Sequence, residues 1–423
     1  MRVAVIGAGY AGMAAAVELC SAGAIPVVYE AARALGGRAR RVERDGLQLD
    51  NGQHILSGAY LELLRLMRTV GAAPEARLLR SPLALTVLPG LRLASPRLPG
   101  RLGPLVGLLM AQGLSWRDRV HALSFMRAVL SRRFHVRSGE SVTALLERTS
   151  QTDATMRSLW YPLCVAALNT RPCEASAEVF ANVLRDSVGA GGGRSDLLLP
   201  RVDLGRLFPD PARAYVEERG GEVRLGQRVA DLSRDGHRWS VQRASYDGVV
   251  LATPPWASAR LLESVEAPPE LVEALKGFQY EPIYTSFLRT DPGYRLDQPM
   301  LGLSGGLVQW VFDRAQLDGL PGVFAAVVSA RGPHESLTLE GFGTEAAREL
   351  HAALPGSPHF EVIFTVAETR ATLRCTPGLA RPSDSGLAGL ALAGDYTDPC
   401  YPSTLEAAVR SGVRAARRLT AAA

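Results

Sequence analysis

Hydrophobic and polar positions are arranged at the start of the chain as strand, turn, helix and strand. Val3-Ala4-Val5-Ile6 is an unbroken apolar run of buried-strand length, Met13 to Ala22 has helix composition, and Pro26-Val27-Val28-Tyr29 begins a second apolar run ending at Glu30. At the far end, Leu390-Ala391-Leu392-Ala393 predicts a strand, and Pro402-Ser403-Thr404-Leu405 opens a helix reaching Ser411-Gly412. Between them, Trp116, Val120, Leu123, Met126, Leu130 and Phe134 recur at helical spacing, with Arg117, Arg119, Arg127, Arg132 and Arg133 around them. Such a stripe fits a core helix or a lipid-facing one. Gly302-Leu303-Ser304-Gly305-Gly306 has the letters of a hydrolase nucleophile elbow, but Leu307 to Val311 continues as a strand where the elbow needs a helix, so a hairpin turn is expected.

The turn after the first run, Gly7-Ala8-Gly9-Tyr10-Ala11-Gly12, changes the picture from fold to chemistry. Gly7 permits a tight turn, Gly9 lets backbone approach a pyrophosphate, Gly12 allows close helix packing, and the helix N-terminus attracts the negative charge. Glu30, eighteen residues past Gly12, is placed for a ribose hydroxyl. A second glycine turn follows in Glu30-Ala31-Ala32-Arg33 and Leu35-Gly36-Gly37-Arg38, whose arginines can clamp phosphate oxygens.

Composition narrows the class. A chain of 423 residues, 47% hydrophobic and 21% charged, is an ordinary globular balance of enzyme size. The net charge of +5 comes almost wholly from arginine, Lys276 being the single lysine, and no basic stripe with interleaved aromatics suggests nucleic acid. Five scattered cysteines, Cys20, Cys164, Cys173, Cys375 and Cys400, fit a reducing, cytoplasmic setting without disulfides, and the histidines show no metal-ligand spacing. The uncharged stretch from Leu102 to Trp116 is shorter than the ~20 residues of a spanning helix.

From Glu30-Ala31 to Gly36-Gly37-Arg38, and again at Gly394-Asp395 with the helix opening at Thr404, the chain resembles the flavin amine oxidase and phytoene desaturase superfamily. Gly220 to Val229 and Asp247-Gly248-Val249-Val250-Leu251-Ala252-Thr253-Pro254-Pro255 resemble two further strands of that family, the first meeting adenine near Val229. The resemblance implies non-covalent FAD, held by Gly7, Gly9, Tyr10, Ala11, Gly12, Glu30, Ala31, Arg33, Gly36, Gly37, Arg38, Gly52, Gln53, His54, Val229, Thr253, Gly394, Asp395, Thr404 and Leu405. It also implies a two-domain α/β fold: a discontinuous Rossmann-type FAD-binding domain over roughly 1–80, 200–262 and 385–423, and a substrate domain of helices above an antiparallel sheet over 81–199 and 263–384. Within the latter, 91–134 is either a membrane-docking segment or core.

Leu49-Asp50-Asn51-Gly52-Gln53-His54, running on to Gly58-Ala59-Tyr60, is similar to the isoprenoid branch of the superfamily. Asn169-Thr170-Arg171-Pro172, Val183-Leu184-Arg185-Asp186-Ser187, Ser195 to Leu204 and Gln309-Trp310-Val311-Phe312-Asp313-Arg314 resemble its squalene-associated members. That likeness implies reductive removal of the allylic hydroxyl of hydroxysqualene, a C30 isoprenoid, by reduced flavin. A carotene-type desaturase and a prenyl-lipid carrier of the same fold are the alternatives. His54 and then Asp50 are the candidate proton donors; Tyr60, Tyr161, Tyr280 and Trp310 are candidate substrate walls, with Glu281 a further polar candidate. No nicotinamide motif is visible, so the electron donor stays open, and an oily substrate makes peripheral contact with the inner face of the cell membrane an expectation.

Overall fold

The computed structural model describes residues 1–44, 46–131, 134–354 and 356–421, so Arg132 and Arg133 of the expected arginine belt lie outside the described residues. Strands buried on both faces need continuous apolar runs, and those at the two chain ends meet in one parallel sheet. Its order is Glu222–Arg224, Ile25–Tyr29, Arg2–Ile6, Gly248–Leu251 and Leu390–Leu392. The expected strand over 220–229 is thus only three residues long, and Val229 lies beyond it in irregular chain.

On one face of this sheet the Tyr10–Ser21 helix packs against the C-terminal Leu405–Ala421 helix. A Cβ on Gly412 would come within 2.1 Å of the Ala11 carbonyl oxygen, so only glycine permits the crossing. The first and last elements of the chain therefore frame one cleft.

The second layer is a seven-stranded sheet, ordered Glu361–Leu373, Tyr280–Arg289, Val323–Ser329, Trp310–Asp313, Met300–Leu303, Ala84–Leu88 and Leu91–Ala94. All neighbours are antiparallel except Met300–Leu303 beside Ala84–Leu88. Side chains alternate across it: Trp310 and Phe312 join the core beneath the helices Trp116–Val129, Tyr161–Leu168 and Ala177–Leu184, while Val311 joins the opposite core under Leu339–Ala353. Ser304 sits in the turn between two antiparallel strands, which gives the hairpin expected there, although Leu307 to Gln309 remain outside the strand.

The helical stripe after Ser115 does not form a single lipid face. Phe125, Met126 and Val129 are core, and Leu123, Leu130 and Phe134 pack partly against it. Only the first turns differ, with Trp116 66% and Val120 46% exposed.

Candidate flavin and substrate site

The cleft between the layers holds a cavity of about 900 Å³ whose walls run without a break from the glycine turns to the seven-stranded sheet. Gly7 has φ +106, and a Cβ there would lie 2.5 Å from the Ala252 carbonyl oxygen; on Gly12 it would lie 1.8 Å from the Gly7 carbonyl oxygen. Both glycines are demanded by the backbone. Gly9 is not: its φ is −73 and an added Cβ would meet nothing closer than 3.9 Å. Its missing side chain instead keeps the cleft open at the start of the Tyr10–Ser21 helix, which has neither a side-chain cap nor an acidic residue in its first turn. Uncapped N–H groups at an open helix start fit a diphosphate.

Glu30 directly follows the second strand and accepts from the Ala8 N–H at 2.8 Å and the Ala32 N–H at 2.8 Å, bracing the glycine turn while it lines the cleft. Gly36, at φ +102, bridges to Gly9, joining the two turns. Arg38 donates to Asp395 at 2.6 Å and to the Ala371 carbonyl at 2.8 Å, so the guanidinium expected to clamp phosphate pairs with the C-terminal motif. Burial acts to raise the Asp395 carboxyl, but Arg38, Ser403 and Arg381 outweigh it and hold the group below its ordinary value. At the other end, the Thr404 hydroxyl caps the last helix by accepting from the Ala407 N–H at 3.1 Å. Glu406 turns away to cap Leu61–Thr69 through the Glu62 and Leu63 N–H groups at 3.0 and 2.9 Å. Its carboxylate is thereby engaged by backbone donors of the neighbouring helix, although the residue still lines the cavity.

Of the residues expected to hold the cofactor, Gly7, Gly9, Tyr10, Ala11, Glu30, Ala31, Gly36, Gly37, Arg38, Gly52, Gln53, His54, Val229, Thr253, Gly394, Asp395, Thr404 and Leu405 line this cavity. Gly12 does not, because it packs the helix onto the turn, and Arg33 points out of the glycine turn into solvent.

The expected proton donors separate. His54 lines the cavity, with Nδ1 3.1 Å from the Gly52 carbonyl, which can only accept; the neutral ring therefore carries its hydrogen on Nδ1 and a lone pair on Nε2. Burial pushes its pKa down, the Gly52 carbonyl opposes that, and Arg38 adds to it. Asp50 is buried away from the cavity, where its carboxylate accepts from the Leu204 N–H at 2.8 Å and Tyr10 donates to the Leu204 carbonyl at 2.8 Å. Burial pushes Asp50 up to about 7 against the Leu204 N–H and Arg314. The residue is a clasp on the Leu204–Leu207 helix.

Tyr60 and Trp310 line the cavity; Tyr161 and Tyr280 do not. Tyr161 turns its hydroxyl to the Met156 sulfur at 3.7 Å, because its helix faces the core there. Tyr280 stacks edge-on against Trp256 at 5.3 Å, and its hydroxyl, pushed up to about 12 chiefly by burial, is buried without a partner among the described residues. Glu281 is occupied by Arg374 at 2.6 Å and the Arg331 N–H at 2.9 Å.

The motifs without an obvious chemistry acquire physical roles. Asn169, in a left-handed turn at φ +47, donates to Thr372 at 2.9 Å and accepts from the Ala330 N–H at 2.6 Å, stapling a helix end to the large sheet. Arg314, 3% exposed, donates to Gln53 at 2.6 Å and pairs with Asp318, tying the seven-stranded layer to the loop after Gly52. Arg381 was not foreseen: it donates to the Asp398 and Tyr401 carbonyls at 2.8 and 2.6 Å and fixes the loop before the last helix. Below that loop the wall is apolar, formed by Leu85, Leu163, Val183, Ile283, Met300 and Phe312.

The family model for flavin-containing amine oxidoreductases matches residues 10–420. The chain belongs to that family. Its cofactor is FAD, in agreement with the glycine turns and the open start of the Tyr10–Ser21 helix. Among individual proteins, it is 30% identical to hydroxysqualene dehydroxylase of Rhodopseudomonas palustris over 99% of this chain and 98% of that one. It is 29% identical to the protein of the same name from Sinorhizobium fredii over 98% and 97%. The fold matches an oxidoreductase structure from Methanosarcina mazei with a TM-score of 0.76 at 19% identity, covering 99% of this chain and 100% of the other.

Proposed function

We propose that this flavoprotein reduces hydroxysqualene to squalene, releasing the hydroxyl oxygen as water and drawing its electrons from a separate donor. The observation that carries the reading is the single cavity, polar and glycine-lined at the cofactor end and apolar at the other, in a chain similar over its length to two hydroxysqualene dehydroxylases. Bound FAD in its reduced form supplies the hydride. The chain does the rest. Gly9 and the Tyr10–Ser21 helix start hold the diphosphate, Arg38 and Asp395 brace the flavin end, and the apolar wall keeps water from the reacting carbon. His54, neutral and with Nε2 free to accept, orients a hydroxyl and is not the proton donor.

An oily substrate has to leave a bilayer, and the proposal includes a peripheral docking surface for anionic lipid. Leu98, Leu102, Met110, Trp116 and Val120 are exposed by 44%, 54%, 68%, 66% and 46%, on one helical hairpin and the turn leading into it, beside the exposed Arg97, Arg101 and Arg117. A surface groove of about 480 Å³ lies next to it, and its walls Pro82 and Asp196 adjoin Leu83 and Leu197 of the main cavity. Among the described residues no helix is long and apolar enough to cross a membrane.

The test is an anaerobic single turnover: holoprotein reduced with dithionite is mixed with hydroxysqualene, and the flavin spectrum and extracted lipid are followed. Flavin reoxidation matched by squalene supports the reading. Reduced flavin that ignores hydroxysqualene, in a protein whose oxidised form acts on a polyene, overturns it in favour of a desaturase.

A further inference from the structure

A neutral His54 with an accepting Nε2 supplies no proton to the departing hydroxyl, and the cavity wall holds another arrangement that can. The Ala177–Leu184 helix runs into a single π-helical turn, Arg185–Gly189, a distortion that recurs at functional sites because it re-aims side chains. Arg185 turns away from the cavity and anchors the turn, donating to the Val129 carbonyl at 2.9 Å and the Phe134 carbonyl at 3.3 Å. The next residue, Asp186, consequently lines the cavity just past the apolar Val183. Its Oδ2 accepts a hydrogen bond from the Tyr401 hydroxyl.

Tyr401 lies on the loop that leads through Pro402 and Ser403 to the Thr404 helix cap, so it stands at the flavin end of the same cavity. The loop is fixed on both sides: Arg381 holds the Tyr401 carbonyl at 2.6 Å, and Asn182 donates to the Cys400 carbonyl at 3.2 Å. The Arg410 guanidinium lies 4.4 Å from the Tyr401 ring centre. A carboxyl group and its phenol partner are thus held between the apolar wall and the cofactor cradle, 215 residues apart in sequence.

We propose that Asp186 is the acid that protonates the leaving hydroxyl, and that Tyr401 is a positioning residue acting through it. The assignment rests on the dehydroxylase reading above. In its acid form Asp186 gives its proton to the substrate oxygen; the carbon–oxygen bond breaks with its electron pair going to oxygen, and water departs. The carbon takes a hydride, with both electrons, from reduced flavin, which is oxidised. The proton comes from Oδ1; Asp186 is left as a carboxylate, keeps the Tyr401 hydrogen bond on Oδ2, and regains its proton from solvent after squalene leaves.

The experiment uses the same anaerobic single turnover on Asp186→Asn and Tyr401→Phe holoproteins, with hydroxysqualene and with its acetate ester, whose leaving group departs without a proton. Asp186→Asn is expected to slow flavin reoxidation by hydroxysqualene about 100-fold or more, the usual contribution of a general acid, and to reduce the ester at close to the wild-type rate. Tyr401→Phe is expected to lose about tenfold with the alcohol and little with the ester, a difference that a merely structural role does not produce. Equal losses on both substrates, or an Asp186→Asn protein as fast as wild type on the alcohol, overturn the assignment while leaving the function standing. Should Asp186→Asn fail to retain flavin, the Tyr401→Phe comparison decides by the same criterion. Wild-type reduced flavin that does not react with hydroxysqualene overturns the function and this assignment together.

Discussion

Gly9 and Gly12 are three residues apart in one motif, yet the structure gives them opposite reasons for being glycine, and replacing each with alanine separates the two. At Gly12 the new Cβ would stand 1.8 Å from the Gly7 carbonyl oxygen and 3.2 Å from the Ala252 Cβ. A carbon–oxygen contact needs well over 3 Å, so the helix has to retreat from the turn by more than an ångström, at the upper end of the usual overpacking cost, about 3 kcal/mol. At Gly9 the new Cβ meets no protein atom within 3.9 Å and the backbone is in an ordinary extended conformation, so the apoprotein loses less than about 0.5 kcal/mol. The same methyl group occupies the open side of the helix start, where it holds the diphosphate off the N–H groups. Loss of two charge-assisted hydrogen bonds at roughly 1.5–3 kcal/mol each corresponds to a 10²–10⁴-fold weaker affinity. Urea unfolding of the apoproteins, paired with FAD titration followed by tryptophan fluorescence, reads both quantities. A Gly9→Ala protein that binds FAD as tightly as wild type, or whose apoprotein is as destabilised as Gly12→Ala, refutes the placement of the diphosphate.

Arg38→Met strands the Asp395 carboxylate, which is 6% exposed, and is expected to cost about 2–3 kcal/mol, below the 3–5 of a fully buried pair because Arg38 is 33% exposed. Since the pair lowers the Asp395 pKa, its stabilisation is present above the ordinary aspartate value and lost as pH falls through the lowered one; the gap between wild type and variant in urea unfolding should therefore narrow below about pH 4. Asp50→Asn works in the opposite sense. With its folded pKa raised to about 7, Asp50 binds a proton in the folded state that the unfolded chain has released, so wild-type stability falls by roughly 1.4 kcal/mol per pH unit between about pH 4 and 7. The variant should lose that slope in unfolding measured at several pH values, while single-turnover flavin reoxidation by hydroxysqualene persists. Met110→Glu with Trp116→Glu is expected to abolish flotation with anionic liposomes and leave the flavin spectrum unchanged; wild-type protein that stays at the bottom of the gradient removes the docking surface altogether.

The cofactor end was legible because its determinants are local. An apolar run, glycines needed at φ +106 and +102, and an acid at the end of the next strand each impose a backbone state on the few residues around them. The helix after Ser115 was legible as a helix and not as a surface. Its spacing marks one apolar stripe, but which part of that stripe is covered depends on the large sheet and the Tyr161–Leu168 and Ala177–Leu184 helices packed against it.

The sequence alone determined the parallel βαβ start, the glycine turns and helix openings that the two chain ends bring to one cleft, and the hairpin at Ser304. Tertiary structure decided which polar groups face the cavity. Asp50 and His54 are four positions apart, yet the strand ending at Asp50 directs its carboxylate to Leu204 while the turn at Gly52 carries His54 into the cavity. Asp186 and Tyr401 carry no signal of each other along the chain, since their meeting depends on a π-helical turn anchored by Arg185 and a loop clamped by Arg381. Local rules set backbone conformation over a few residues, whereas the direction and company of a side chain are set by whatever distant segments pack around it.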